Sequence, residues 1–171
     1  MKVVLVGYMA SGKTTIGKGL ARKLCLPFID LDQYIEKKEK STITKIFKTK
    51  GEIYFRKLEN KYVSELLLNP NSFILSLGGG TPCYSGNMDL LLQSEAKIIY
   101  LKANILTLVK RINKNKSKRP LVSQIDSDDL PEFVGKHLFE RSDYYERAPI
   151  KIIIDNKNKE ETINDIWFAL H

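Results

Sequence analysis

The strongest chemical signal in this 171-residue chain lies near its N-terminus. Gly7-Tyr8-Met9-Ala10-Ser11-Gly12-Lys13-Thr14 follows the pattern GxxxxGK[ST]. Glycines let the backbone wrap closely, so successive N–H groups point inward at a polyphosphate. A helix that starts at such a loop adds its partial positive charge. Ala10, Ser11, Gly12 and Thr15 belong to the phosphate contacts, Lys13 supplies a point charge to the β- and γ-phosphates, and the Thr14 hydroxyl suits direct ligation of Mg²⁺. The pattern specifies a nucleoside triphosphate. It does not specify what is done with it.

Two further groups narrow the chemistry. Asp30 and Asp32 flank Leu31 at the expected end of a strand. Asp30 is the candidate for the outer Mg²⁺ shell, through water, because the third strand ends without an acid. Asp32 can accept hydrogen bonds from a polyol and help remove a hydroxyl proton, or one of the two can cap the following helix. Gly78-Gly79-Gly80 lets a small acceptor approach backbone amides without interference from a Cβ, where a tight turn needs only one or two glycines. Together these features favour phosphoryl transfer to a hydroxyl over simple hydrolysis.

The basic residues are 22 lysines and six arginines. In a chain that uses lysine by default, each arginine invites a question about its fork of donors. Arg56, Arg111, Arg119 and Arg141 are candidates to hold a carboxylate or a transferring phosphoryl group. Surface ion pairing is the alternative, and Arg56 has Glu52 and Glu59 at helical spacing. Arg22 and Arg147 read as surface residues.

These groups need a scaffold. Short apolar runs at 2–6, 28–29, 73–77, 97–101 and 150–154 read as five strands. Helical patterns fall at 14–24, 34–40, 43–50, 52–68, 88–93, 105–112, 129–147 and 160–170. Asn113 to Lys118 is polar and basic and reads as a loop. The alternation predicts an α/β fold, a five-stranded parallel sheet with helices on both faces. Ligands of such sheets bind beyond the carboxyl ends of strands, and each of the three motifs follows a strand.

Composition removes several function classes. An apolar share of 43% supports a folded core in one domain, 1–171. No apolar run has the length of a membrane span, and the first residues do not read as a secretory signal, so a cytoplasmic protein with no membrane partner is expected. Cys25 and Cys83 lack metal-site spacing and read as reduced thiols. A net charge of +8 permits a nucleic-acid reading, but the basic residues are dispersed and interrupted by acids. No nucleic-acid partner is expected.

The motifs as a set resemble those of the shikimate kinases. The resemblance covers nearly the whole chain and rests on Gly7 to Thr14, Phe28-Ile29-Asp30-Leu31-Asp32, Glu52 to Glu59, Leu75-Ser76-Leu77-Gly78-Gly79-Gly80-Thr81, Lys118-Arg119-Pro120-Leu121, and Arg141 ahead of Tyr144-Tyr145-Glu146. It implies a P-loop kinase with a substrate-binding subdomain at 31–68 and a lid at 112–124. It implies ATP as co-substrate, one Mg²⁺ per site, and phosphorylation of the 3-hydroxyl of shikimate in the chorismate pathway to aromatic amino acids. By the same resemblance Lys13, Asp32 and Arg119 are catalytic, and Arg111 stacks near adenine. Asp32, Arg56, Gly78, Gly79, Gly80 and Arg141 bind shikimate, with the two arginines on its carboxylate. A monomer is expected. Tyr8 and Met9 occupy variable positions, and 155–158, where the family contacts adenine, has no residue-by-residue match.

A gluconate kinase shares the general plan and also takes a hydroxy acid, but the two arginines and the SLGGGT run favour shikimate. A nucleoside monophosphate kinase has no obvious use for the triple glycine. A P-loop nucleic-acid module lacks a basic stripe interleaved with aromatics, and a regulator without turnover has no need of Asp32 or Arg119.

Overall fold

The structure, a computed structural model, describes residues 1–114 and 122–171. Its five strands are β1 Lys2–Val6, β2 Phe28–Asp30, β3 Phe73–Ser76, β4 Lys97–Lys102 and β5 Ile150–Ile153. They form one parallel sheet in the order β2-β3-β1-β4-β5. β1 lies at the centre, with Val4 in register with Leu75 on one side and Ile98 on the other. Successive strand residues point to opposite faces, yet Val3, Val4, Leu5 and Val6 are all fully buried. Both faces of the sheet are therefore covered, which is why β1 is apolar without alternation.

The covering helices are α1 Lys13–Lys23, α2 Leu31–Glu39, α3 Ile43–Leu68, α4 Asn87–Leu92, α5 Ile105–Asn113, α6 Leu130–Glu146 and α7 Lys159–Leu170. α1 packs on α7, α2 on α3, and α5 on α6. β1 feeds its crossover toward β2 on one side, while β3 feeds toward β4 on the other side of β1. The order reverses at β1 and β3, and a crevice opens beyond their carboxyl ends, as in other open parallel sheets.

Expected elements recur with shifted ends, and two differences have clear causes. The patterns at 43–50 and 52–68 join into one 26-residue element with a kink at Gly51, whose φ of 81° and ψ of 173° break the helix. That φ lies in a region that side chains disfavour, so glycine suits the junction. The second difference corrects the reading of the acids. Asp32 does not lie at a strand end. Asp30 is the last residue of β2 and keeps an extended backbone, so α2 starts at Leu31 and Asp32 falls in its first turn.

The triple glycine leads into a 3-10 turn at Thr81–Cys83 that the apolar pattern does not announce. Cys25 and Cys83 are free thiols. Among the described residues no helix is long and apolar enough to cross a membrane. α2 and α3 together span the 31–68 stretch, whereas most of the expected lid at 112–124, Arg119 included, lies outside the described residues.

Candidate active site

The loop between β1 and α1 curls because three of its residues take positive φ, Gly7 at 142°, Ala10 at 63° and Gly12 at 94°. Gly12 opens α1 and no side chain caps the helix there. The first-turn amides are thus left for an anion, in the geometry that binds phosphate at helix N-termini. The buried Lys13 anchors the loop from within, donating from Nζ to Gly7 O at 2.8 Å and Tyr8 O at 2.9 Å. Arg111, from α5, donates from Nη1 to Ser11 O at 3.2 Å and to Ala10 O at 3.5 Å. Ser11 Oγ is the one buried side-chain polar atom among the described residues without a hydrogen-bond partner. An unsatisfied hydroxyl inside a phosphate loop fits a site whose ligand supplies the missing oxygens.

Thr14 Oγ1 donates to Asp30 Oδ2 at 3.0 Å. The other carboxylate oxygen, Asp30 Oδ1, accepts from the Gln33 N–H at 3.4 Å and caps α2. Asp30, not Asp32, is therefore the helix cap, and it carries the second task of facing Thr14. Two oxygens of this kind at the mouth of a phosphate loop suit Mg²⁺, which takes oxygen ligands and keeps several waters. No group of three or more His, Cys, Asp or Glu side chains with metal-site geometry exists among the described residues. Phosphate oxygens and water would complete the shell of such an ion.

Asp32 lies on the wall of the same cavity, which encloses about 760 Å³. Its carboxyl is pushed up to about 6, first by burial and then by the negative charges of Asp30 and Glu59, with Lys13 opposing them. A carboxylate so placed is more basic than an exposed one and better matched to a hydroxyl proton.

The candidate acceptor residues come from α3, the glycine loop and α6. Arg56 donates from Nη1 to Glu59 at 2.8 Å and from Nη2 to Glu52 at 3.0 Å, while its guanidinium lies 4.0 Å above the Tyr84 ring. The surface-pair reading of Arg56 is only half right. Glu52 is a surface partner, but Glu59 is 1% exposed and also accepts from Thr81 Oγ1 at 2.5 Å. Gly80 sits against this guanidinium; a Cβ there would come within 3.0 Å of Arg56 Nη1. A Cβ on Gly79 would lie 3.3 Å from the Met9 nitrogen and 3.7 Å from Arg141 Nη1. Gly78 approaches the carboxylates of Asp32 and Glu59 in the same way, each at 3.4 Å.

The glycine loop is thus the meeting point of the candidates. The phosphate loop, Asp30, Asp32, Gly78, Gly79 and Arg111 line one cavity. Arg56, Gly80 and Arg141 are not among its lining residues; Arg141 lies beside Gly79 and Arg56 beside Gly80. Arg147 pairs with Asp89, and Arg22 bonds back to Lys18 O, as their surface reading requires. Glu59 lies outside this lining, and no local pattern reveals its burial. Ile154 and Thr162 line the cavity unforeseen, and Lys157 and Asn158, inside the 155–158 segment left without a residue match, line it too. The last four follow β5, so the rule that ligands bind beyond strand ends could have found them.

Comparison with known proteins identifies the family and the fold. The family model described as shikimate kinase matches residues 9–170. A shikimate kinase of Flavobacterium johnsoniae is 48% identical over 165 residues, 96% of each chain. The crystal structure of shikimate kinase from Bacteroides thetaiotaomicron superposes with a TM-score of 0.90 at 33% identity, covering 99% of this chain and 98% of that one. The structure of shikimate kinase from Acinetobacter baumannii in complex with shikimate superposes with a TM-score of 0.86 at 29% identity, covering 99% of this chain and 92% of that one.

Proposed function

The chain belongs to the shikimate kinase family, and from that premise we propose how its residues carry out the reaction. It is a phosphotransferase that uses ATP to phosphorylate shikimate, a step in aromatic amino-acid biosynthesis. In the proposed reaction the 3-hydroxyl oxygen bonds to the γ-phosphorus, the bond from that phosphorus to the β,γ-bridging oxygen breaks, and ADP leaves.

In this reading the loop amides and Lys13 hold the β- and γ-phosphates, and Arg111 steadies the loop beside the adenine end. Lys13 is fixed over the loop by two carbonyls, so its charge needs little reorganisation as the phosphoryl group transfers. Thr14 would ligate Mg²⁺ directly and Asp30 through water; the bound ion neutralises phosphate charge. Arg56 and Arg141 hold the shikimate carboxylate, and the glycine loop lets the ring lie against backbone. Asp32 orients the 3-hydroxyl and takes its proton. Arg119, from the lid, is assigned to the transferring group by its motif alone. The proposal includes a cytoplasmic enzyme, supported by two free thiols, acting as a monomer.

The observation that carries this reading is the position of Gly79, in contact range of both the phosphate loop at Met9 and the carboxylate-binding Arg141. Donor and acceptor sites share one strip of backbone. Arg56→Ala, assayed with shikimate and with its methyl ester, tests it. The variant is expected to lose about 100-fold in kcat/KM for shikimate. The ester, already a poor substrate, is expected to lose far less. Equal losses on acid and ester, or none on the acid, would remove Arg56 from the carboxylate site.

A further inference from the structure

Tyr8 occupies a position of the phosphate loop where the motif demands no residue type. It is nevertheless 1% exposed and among the largest fully buried side chains. Its hydroxyl is joined to His137 Nδ1 by a hydrogen bond of 2.9 Å, and the two rings meet edge to face with centroids 5.5 Å apart. His137 lies on α6, with Phe133 against its other side at 5.4 Å. Four residues on along the same helix is Arg141, and four further is Tyr145. Positions four apart share one helix face. Tyr145 is fully buried, packs on Tyr100 of β4 with centroids 5.3 Å apart, and donates its hydroxyl to Gly79 O.

One face of α6 thus makes three contacts in a row. Its middle is tied to the phosphate loop at His137, its last turn to the glycine loop at Tyr145, and Arg141 projects between the two ties. Elsewhere α6 leans on α5 and on the 3-10 turn, and it leaves Phe139 82% exposed. Its rotation about its own axis is held by buried Leu130 and Val134 and by these two hydroxyl contacts, which are the ones that flank Arg141. Burial and the Arg141 charge both lower the pKa of His137, which favours a neutral imidazole able to accept from the Tyr8 hydroxyl.

We propose that Tyr8 and His137 are positioning residues for the acceptor: their hydrogen bond ties α6 to the phosphate loop and so sets where Arg141 meets the shikimate carboxylate. The inference rests on the assignment of Arg141 to that carboxylate. It gives a variable phosphate-loop residue a task on the acceptor, not on ATP.

Tyr8→Phe removes the hydroxyl and keeps the ring and the backbone carbonyl that Lys13 uses. KM for shikimate is expected to rise roughly three- to tenfold, with KM for ATP changed less than about twofold. His137→Phe should do the same, and the double variant should be no worse than either single, because both remove one shared contact. His137→Asn returns a polar atom near the Nδ1 position and should restore most of the loss. Variants that unfold earlier but keep both KM values, or that raise both KM values equally, would overturn the proposal. Wild-type protein that fails to turn over shikimate in the same assay overturns instead the reading on which it rests.

Discussion

Glu59 accepts from Arg56 Nη1 at 2.8 Å inside the protein, and the same side chain accepts from Thr81 Oγ1. The pair fixes the guanidinium that is assigned to the acceptor carboxylate. Its burial also decides its energetics. Removing one member of a buried ion pair costs about 3–5 kcal/mol where the other is left unpaired, and less here because Arg56 keeps Glu52. Glu59→Ala should therefore lower the urea-unfolding free energy by about 2 kcal/mol or more. Glu52, paired to the same arginine but with a side chain 54% exposed, should cost under about 1 kcal/mol when cut to alanine. Equal effects in urea titrations would contradict this division.

Asp32 is expected to limit the stability of the free protein. Its folded pKa, about 6, lies above the ordinary value of 3.8. Between these values the folded state binds more protons than the unfolded one, so stability falls as pH rises through the window. Asp32→Asn cannot titrate. The variant should match wild type near pH 4 and exceed it above pH 6, by on the order of 2 kcal/mol. The same variant should lose at least about 100-fold in turnover. Denaturant melts of both proteins from pH 4 to pH 8 measure the first effect. A difference that does not grow with pH would show that Asp32 has an ordinary carboxyl.

Gly80→Ala separates binding from folding. The new methyl would meet Arg56 Nη1 at 3.0 Å and Nη2 at 3.1 Å, the far end of a flexible side chain. The guanidinium can yield by a few tenths of an ångström and keep its Glu59 pair, so the melting temperature should change by no more than about 2 °C. Its displacement should still raise KM for shikimate by roughly fivefold or more, while KM for ATP holds. A large drop in melting temperature with normal KM would place the crowding elsewhere.

Much of the scaffold was legible because its causes are local. An unbroken apolar run such as Val3 to Val6 signals a buried parallel strand, and Gly51 marks a break between two helical patterns. The phosphate loop was legible for the same reason: its work is done by backbone, and glycine spacing specifies backbone. Side-chain partners were less so. The spacing of Arg56 and Glu59 is the same for a surface pair and a buried one, and only the packing of α3 against the 3-10 turn distinguishes them. Which of Asp30 and Asp32 caps α2 stayed open in the sequence, because helix onset is decided by one residue. The Tyr8–His137 bond spans 129 positions, and nothing near Tyr8 in the chain announces it.

The central claim is that this chain moves a phosphoryl group from ATP to shikimate. The direct measurement is ADP release with ATP and Mg²⁺, run in parallel on shikimate, gluconate, AMP and no acceptor, with the product of each reaction identified by ³¹P NMR. Shikimate alone should support rapid turnover and yield a 3-phosphate. Equal or faster turnover with gluconate or AMP, or ADP release indifferent to acceptor, would contradict the assignment of Arg56, Gly79 and Arg141.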